Sequence, residues 1–301
     1  MSSVQALDLG LVVAGHGRHA VVETPEGRRV LCHSRGKKSE VVVGDSVRWL
    51  PAGDEGVIEA IEPRRNLLRR QDERRTKSFA ANLDQLLVLV ASEPMFGEGQ
   101  LARALIAAQD AGIPARIGLN KVDLPSAAVA RARLAAYAAM GVPMIELALK
   151  ADPASARERL LPLLAGRVTL VLGASGMGKS TLINLLVPGA AAQVGEVSLA
   201  LASGRHTTTA THWYWLDADR RGALIDSPGF QEFGLQHIAP EQLASLMPDL
   251  AAHLGHCRFY NCSHRHEPGC GVLAAAQRGL IDGQRMRLYG ELFDELSQQR
   301  W

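Results

Sequence analysis

The octapeptide Gly173-Ala174-Ser175-Gly176-Met177-Gly178-Lys179-Ser180 constrains this chain more than any other stretch. It has the form G-x-x-x-x-G-K-S. The apolar run Val168-Thr169-Leu170-Val171-Leu172 before it predicts a buried strand, and Thr181-Leu182-Ile183-Asn184-Leu185-Leu186 after it predicts a helix start. Strand, glycine loop and helix are the setting of a phosphate-binding loop in an α/β domain. The glycines let backbone N–H groups turn inward, and the helix N-terminus adds partial positive charge. Residues Gly173 to Thr181 would then surround the phosphates. Lys179 would reach the β- and γ-phosphates, and the Ser180 hydroxyl would ligate Mg²⁺.

A second motif lies upstream. The continuous apolar run Leu86-Leu87-Val88-Leu89-Val90 predicts a central parallel strand. A helix over 100–111 and a strand over 114–119 follow, and that strand delivers Asn120-Lys121-Val122-Asp123. This is N-K-x-D at the C-terminal end of a strand, where open α/β sheets bind ligands. Its chemistry selects guanine. The Asp123 carboxylate can accept from N1–H and N2–H₂ together, Asn120 can meet the O6/N7 edge, and the Lys121 stem can lie along the base. Adenine would leave the carboxylate unsatisfied, at a cost of about 1–3 kcal/mol or more. Helices over 127–140 and 154–164 and a short strand over 142–147 continue the alternation.

Downstream of the glycine loop, Ser203-Gly204-Arg205-His206-Thr207-Thr208-Thr209 predicts a switch loop. One threonine there, taken as Thr208, would complete the Mg²⁺ shell when a γ-phosphate is present. Paired strands over 213–216 and 223–225 then end in Asp226-Ser227-Pro228-Gly229. Asp226 would hold Mg²⁺ through water, and the Gly229 N–H would face the γ-phosphate.

The flanks differ in character. Among 301 residues, enough for two or three domains, net charge is only +2. Residues 1–77 hold five short strand-like segments with turn signals between them, which predicts a small barrel of the OB type. Its loop Ser34-Arg35-Gly36-Lys37-Lys38 is basic. A further basic run holds Arg64, Arg65, Arg69, Arg70, Arg74, Arg75 and Lys77. Trp49 is the region's one aromatic ring, so RNA or DNA contact here would be electrostatic and shape-directed. At the other end, Cys257, Cys262 and Cys270 fall within fourteen residues. With His253, His256, His264 or His266 as a fourth ligand they predict a closed, structural zinc site. Cys32 reads as an ordinary barrel residue. The start carries no basic, apolar leader, and no apolar run is long enough to cross a membrane, so a soluble cytoplasmic protein is expected.

The motif set is that of a GTPase, but N-K-x-D precedes the phosphate loop. The chain therefore resembles the circularly permuted GTPases. With the barrel, Gly204-Arg205-His206-Thr207-Thr208-Thr209 and the Cys/His cluster, it is similar to the bacterial ribosome small-subunit-dependent GTPase A family. That resemblance implies a multidomain chain: an N-terminal OB-like β-barrel with its basic linker (1–77), a central α/β circularly permuted P-loop GTPase domain (78–230) and a mostly helical zinc-binding domain (231–301). It places one zinc on Cys257, Cys262, His264 and Cys270. It implies a monomer that binds the 30S subunit and its 16S rRNA, acts late in subunit assembly, and hydrolyses GTP to GDP and phosphate with ribosomal stimulation. The chain departs from common GTPases in two places. Glu146-Leu147-Ala148-Leu149-Lys150 replaces the usual Ser-Ala behind the guanine, and Phe230 stands where a water-orienting Gln is frequent. His206 is the expected substitute for that Gln. A P-loop kinase or ATPase, and an RNA-binding scaffold that never hydrolyses its nucleotide, are the competing readings.

Overall fold

The computed structural model describes residues 7–16, 19–35, 41–71, 76–190, 211–227 and 234–298. The alternating N-terminal segments form β1 (Asp8–His16), β2 (His19–Glu23), β3 (Arg29–Ser34), β4 (Ser46–Ala52) and β5 (Glu55–Ile61). They pair in the cycle β1-β2-β3-β5-β4-β1, with only β3–β5 parallel, so the barrel closes and buries its own edges. Val12, Val22, Cys32, Val47, Trp49 and Ile58 fill it. Trp49 fits because Gly56 faces it; a Cβ there would lie 2.6 Å from both the indole and Cys32 Sγ. The barrel's one aromatic ring is thus interior and offers no stacking face.

The basic run does not behave as a free linker. Arg64 forms a two-pronged pair with the fully buried Asp45, at 2.7 and 2.8 Å. Arg65 donates to Asp84 and to the Asn82 carbonyl. These two arginines fasten the barrel to the strands C-terminal to it. Further along, β6 (Leu67–Gln71) pairs antiparallel with β7 (Thr76–Ala81), a pairing that a run of charges does not announce. Arg64→Ala should strand the Asp45 carboxylate, whose Oδ2 also accepts from the Val42 N–H at 2.8 Å. A loss of about 3–5 kcal/mol in denaturant-measured stability is expected.

The central sheet contains β8 (Gln85–Ala91), β9 (Ala115–Asn120), β10 (Met144–Leu147), β11 (Val168–Leu172), β12 (Thr211–Trp215) and β13 (Ala223–Asp226). Its order is β10-β9-β8-β11-β13-β12, parallel except for β12. Every residue of β8 is buried, as a strand covered on both faces requires. Helices α1 (Glu98–Asp110), α2 (Ala127–Ala139), α3 (Pro153–Leu164) and α4 (Lys179–Leu186) accompany it. Asp152 caps α3 by accepting from the Ser155 N–H at 3.1 Å. At the β12 edge the sheet runs on into the barrel, because β1 pairs with β12.

The C-terminal region has α5 (Pro240–Leu243), α6 (Pro248–Ala251), α7 (Gly271–Gln277) and α8 (Gly283–Gln298), with two short 3₁₀ turns. Helix α8 buries Leu288, Tyr289, Leu292 and Leu296 at helical spacing. It docks on the central α/β domain through Arg103–Glu295 and through Arg285, which pairs with Asp249 at 2.8 Å and lies 5.2 Å over the Tyr137 ring of α2. Among the described residues no helix is long and apolar enough to cross a membrane.

Candidate nucleotide and metal sites

The phosphate loop connects β11 to α4 because its glycines stand where side chains cannot. A Cβ on Gly173 would lie 2.5 Å from the Leu89 carbonyl oxygen, and one on Gly178 would lie 2.4 Å from Asn120 Nδ2. Gly178 also holds φ at +106° as the N-cap of α4. Ala174 is half-buried, Ser175 and Gly176 are exposed and Met177 is buried, so the crown of the loop faces outward. Ser180, exposed, and Thr181, half-buried, start α4 with their N–H groups at its positive end. Lys179 folds its ammonium back onto the loop, donating to the Gly173 carbonyl at 2.6 Å and the Ala174 carbonyl at 3.3 Å.

Asp226 ends β13 beside it. Val171 of β11 and His212 of β12 flank it in register. Its Oδ1 is buried and has no hydrogen-bond partner among the described residues. Burial pushes the carboxyl up to about 6, against the pull of the Lys179 ammonium. Burial likewise lowers Lys179, with Asp226 opposing. An orphaned carboxylate oxygen beside a lysine, at the mouth of a phosphate loop, fits a magnesium-bearing phosphate site. Ser227 secures the strand end, its hydroxyl donating to the Val171 carbonyl at 3.3 Å.

The N-K-x-D segment lies at the end of β9. Asn120 is 3% exposed and ties three loops together. Its Nδ2 donates to the Met177 carbonyl at 3.0 Å, and its Oδ1 accepts the Leu149 N–H at 3.2 Å. Lys121 adopts φ +60° and sends its ammonium to the Glu93 carbonyl, while Ser92 donates to the Lys121 carbonyl at 2.8 Å. The Val122 N–H donates to Leu147 at 3.2 Å. Asp123 is exposed. Reading the motif alone missed Ser92, whose hydroxyl holds the Lys121 carbonyl, and Glu93 and Leu149, which bind the motif through main-chain groups and so carry no side-chain signature. The unusual 146–150 segment still delivers a backbone N–H to Asn120. His206, Thr208, Gly229 and Phe230 lie outside the described residues.

In the C-terminal region one ligand atom from each of Cys257, Cys262, His264 and Cys270 falls within 4.8 Å of the others. His264 Nδ1 is 3.5 Å from both Cys257 Sγ and Cys270 Sγ, which are 3.9 Å apart. Sulfur–sulfur separations near this value suit two ligands of one tetrahedral zinc. The Gly271 and Leu273 N–H groups point at Cys257 and Cys270 sulfurs, 3.4 Å each, as they would to support thiolates. Glu267 braces the ligand loop, accepting from the Ser263 hydroxyl at 2.5 Å and from the N–H groups of Ser263, Arg265 and His266. Tyr289 of α8 donates to the Ser263 carbonyl at 2.7 Å. His253, His256 and His266 are not in the cluster.

A phosphate loop that comes after its base-reading segment, set in a parallel sheet between a closed barrel and a Cys₃His unit, defines a circularly permuted GTPase. The sequence model of the RsgA GTPase family matches residues 61–236, and the chain belongs to that family of GTP-hydrolysing enzymes. It is 60% identical to the "Small ribosomal subunit biogenesis GTPase RsgA" of Variovorax paradoxus, over 100% of this chain and 96% of that one. Its Bordetella pertussis counterpart is 56% identical over 98% of each. Among solved structures, YjeQ from Thermotoga maritima superposes with a TM-score of 0.74 at 29% identity, covering 98% of this chain and 100% of that one. YloQ, described as a circularly permuted GTPase, shares the fold with a TM-score of 0.71 at 23% identity, over 100% and 99%.

Proposed function

We propose that this GTPase binds the small ribosomal subunit, acts late in its assembly, and is stimulated by it to hydrolyse GTP. The observation that carries this reading is the 60% identity, across the whole chain, to a relative named for small-subunit biogenesis. In the division of labour we propose, 1–77 contacts 16S rRNA, 78–230 holds the nucleotide, and 231–301 bears the metal. The enzyme works in the cytoplasm as a monomer.

At the nucleotide, Asp123 reads the guanine N1–H and N2–H₂ edge. Asn120, already locked to Met177 and Leu149, holds base loop and phosphate loop at a fixed separation. Lys179 exchanges the Gly173 and Ala174 carbonyls for β- and γ-phosphate oxygens, so its positive charge arrives already desolvated. Ser180, Thr208 and Asp226 would hold Mg²⁺, which supplies charge stabilisation to the transferring phosphoryl group. Gly229, by its place in D-x-P-G, would offer its N–H to the γ-phosphate. Phe230 cannot orient water, so His206 or a ribosomal group does. Cys257, Cys262, His264 and Cys270, a four-ligand set suited to a structural ion, would hold zinc.

GTP turnover with and without purified 30S subunits tests the reading. Stimulation of tenfold or more is expected for the wild type, and loss of it in His206→Ala. Equal turnover in both conditions would remove the ribosomal role, and ATP binding as tight as GTP would favour the kinase or ATPase alternative.

A further inference from the structure

The barrel grips β12 at both ends. At one end the backbone ladder joins Ala14 to His212 and Gly15 to Thr211. At the other, Trp215 Nε1 donates to Glu23 Oε1 at 2.8 Å. Glu23, the last residue of β2, is 4% exposed. The same carboxylate accepts from Arg29 Nε at 2.9 Å and faces Arg220 of the β12–β13 turn at 3.5 Å. Arg29 belongs to the barrel and already compensates the charge. Trp215 and Arg220 are therefore additions from the other domain, and their effect is to hold the β12–β13 hairpin against the barrel. Gly27 allows the approach, since a Cβ there would lie 1.9 Å from the Arg220 guanidinium.

The hairpin held this way carries Asp226. His212 stands opposite Ala14 on one side and Asp226 on the other, so the three form one row across three strands. Asp226 is two strand spacings from the barrel, about 10 Å. Barrel, strand and carboxylate are one hydrogen-bonded sheet without an intervening loop.

We propose that Glu23 is a positioning residue for the hydrolytic centre: through Trp215 and Arg220 it holds the β12–β13 hairpin, and so sets the pose of Asp226. Motion of the barrel is then transmitted to the phosphate site. This role rests on the reading of Asp226 as the magnesium-side carboxylate.

The test uses the full chain with Glu23→Ala, Glu23→Gln, Trp215→Phe and, as reference, Asp226→Asn. Two quantities are measured: the Mg²⁺ concentration for half-maximal GTP hydrolysis, and GDP affinity in EDTA. Phe at 215 keeps an aromatic ring on the side of Trp213, 5.0 Å away, and removes the N–H donor together with part of the indole. Glu23→Ala and Trp215→Phe should raise the Mg²⁺ requirement about tenfold, the lower end for residues that orient metal ligands. GDP affinity in EDTA should stay within twofold. Glu23→Gln, whose amide oxygen still accepts from Trp215, should recover at least half of the shift. A wild-type Mg²⁺ requirement in Glu23→Ala and Trp215→Phe, beside a shifted Asp226→Asn, would overturn the positioning role alone. A parallel fall of GDP affinity in EDTA would also overturn it, by showing a general loss of fold. An Asp226→Asn variant with the wild-type requirement would overturn the metal reading, and this proposal with it.

Discussion

Asp226→Asn is expected to make the nucleotide-free protein more stable while lowering GTP hydrolysis roughly a hundredfold or more. The stabilisation comes from a carboxyl whose folded pKa lies above its unfolded one, raised from 3.8 to about 6 by burial. Such a group binds protons better in the folded state, so its ionisation opposes folding. The penalty is full above about pH 6, shrinks as pH falls, and vanishes below the unfolded value. It amounts to roughly 1–3 kcal/mol at neutral pH. Melting curves without nucleotide should therefore show the variant above the wild type at pH 8, with the gap narrowing toward pH 5. A variant that melts lower at pH 8, or hydrolyses GTP at the wild-type rate, would contradict a buried, cation-binding carboxylate.

Loss of the Cys₃His ion should have the second large effect. Cys270 is buried, caps α7 by accepting the Leu273 N–H, and stands between Cys257 and His264. Cys270→Ser, or a strong chelator, should abolish stoichiometric zinc in metal analysis and unfold residues around 257–277 in hydrogen exchange. Apparent zinc binding of roughly 10 kcal/mol or more is the folding free energy of such small units. GDP affinity should stay within about threefold, because Asn120, Met177 and Leu149 form their contacts without help from the metal loop. Retained exchange protection after zinc removal would show that α8 alone holds the unit.

Much of this molecule is legible in its sequence. The barrel strands, the order of the two motifs and the three clustered cysteines depend on local residue type and spacing, which one chain displays directly; the choice of His264 among four nearby histidines rests on the family resemblance. The features that cannot be read depend on partners distant in sequence. Arg64 reads as one charge of a basic run facing nucleic acid, because nothing near it reveals that Asp45 is buried opposite. Trp49 reads as available for stacking, and Gly56 places it inside. Lys121 is expected to lay its stem along the base, and the partner of its ammonium, a main-chain carbonyl at Glu93, has no signature in the motif. Glu23 carries no motif at all; its role exists only because Trp215 and Arg220 arrive from far along the chain.

The shared strand also dictates a timetable. Strand β1 is made first, but its partner β12 emerges ~200 residues later, one of the long-range pairings that slow folding. Strands β8, β9 and β10 can associate as they appear, whereas β11, β13 and β12 must fill the gap between β8 and β1. The late strands are those that bear the phosphate loop and Asp226. A nascent chain can therefore complete its barrel long before it has a site at which GTP could be hydrolysed.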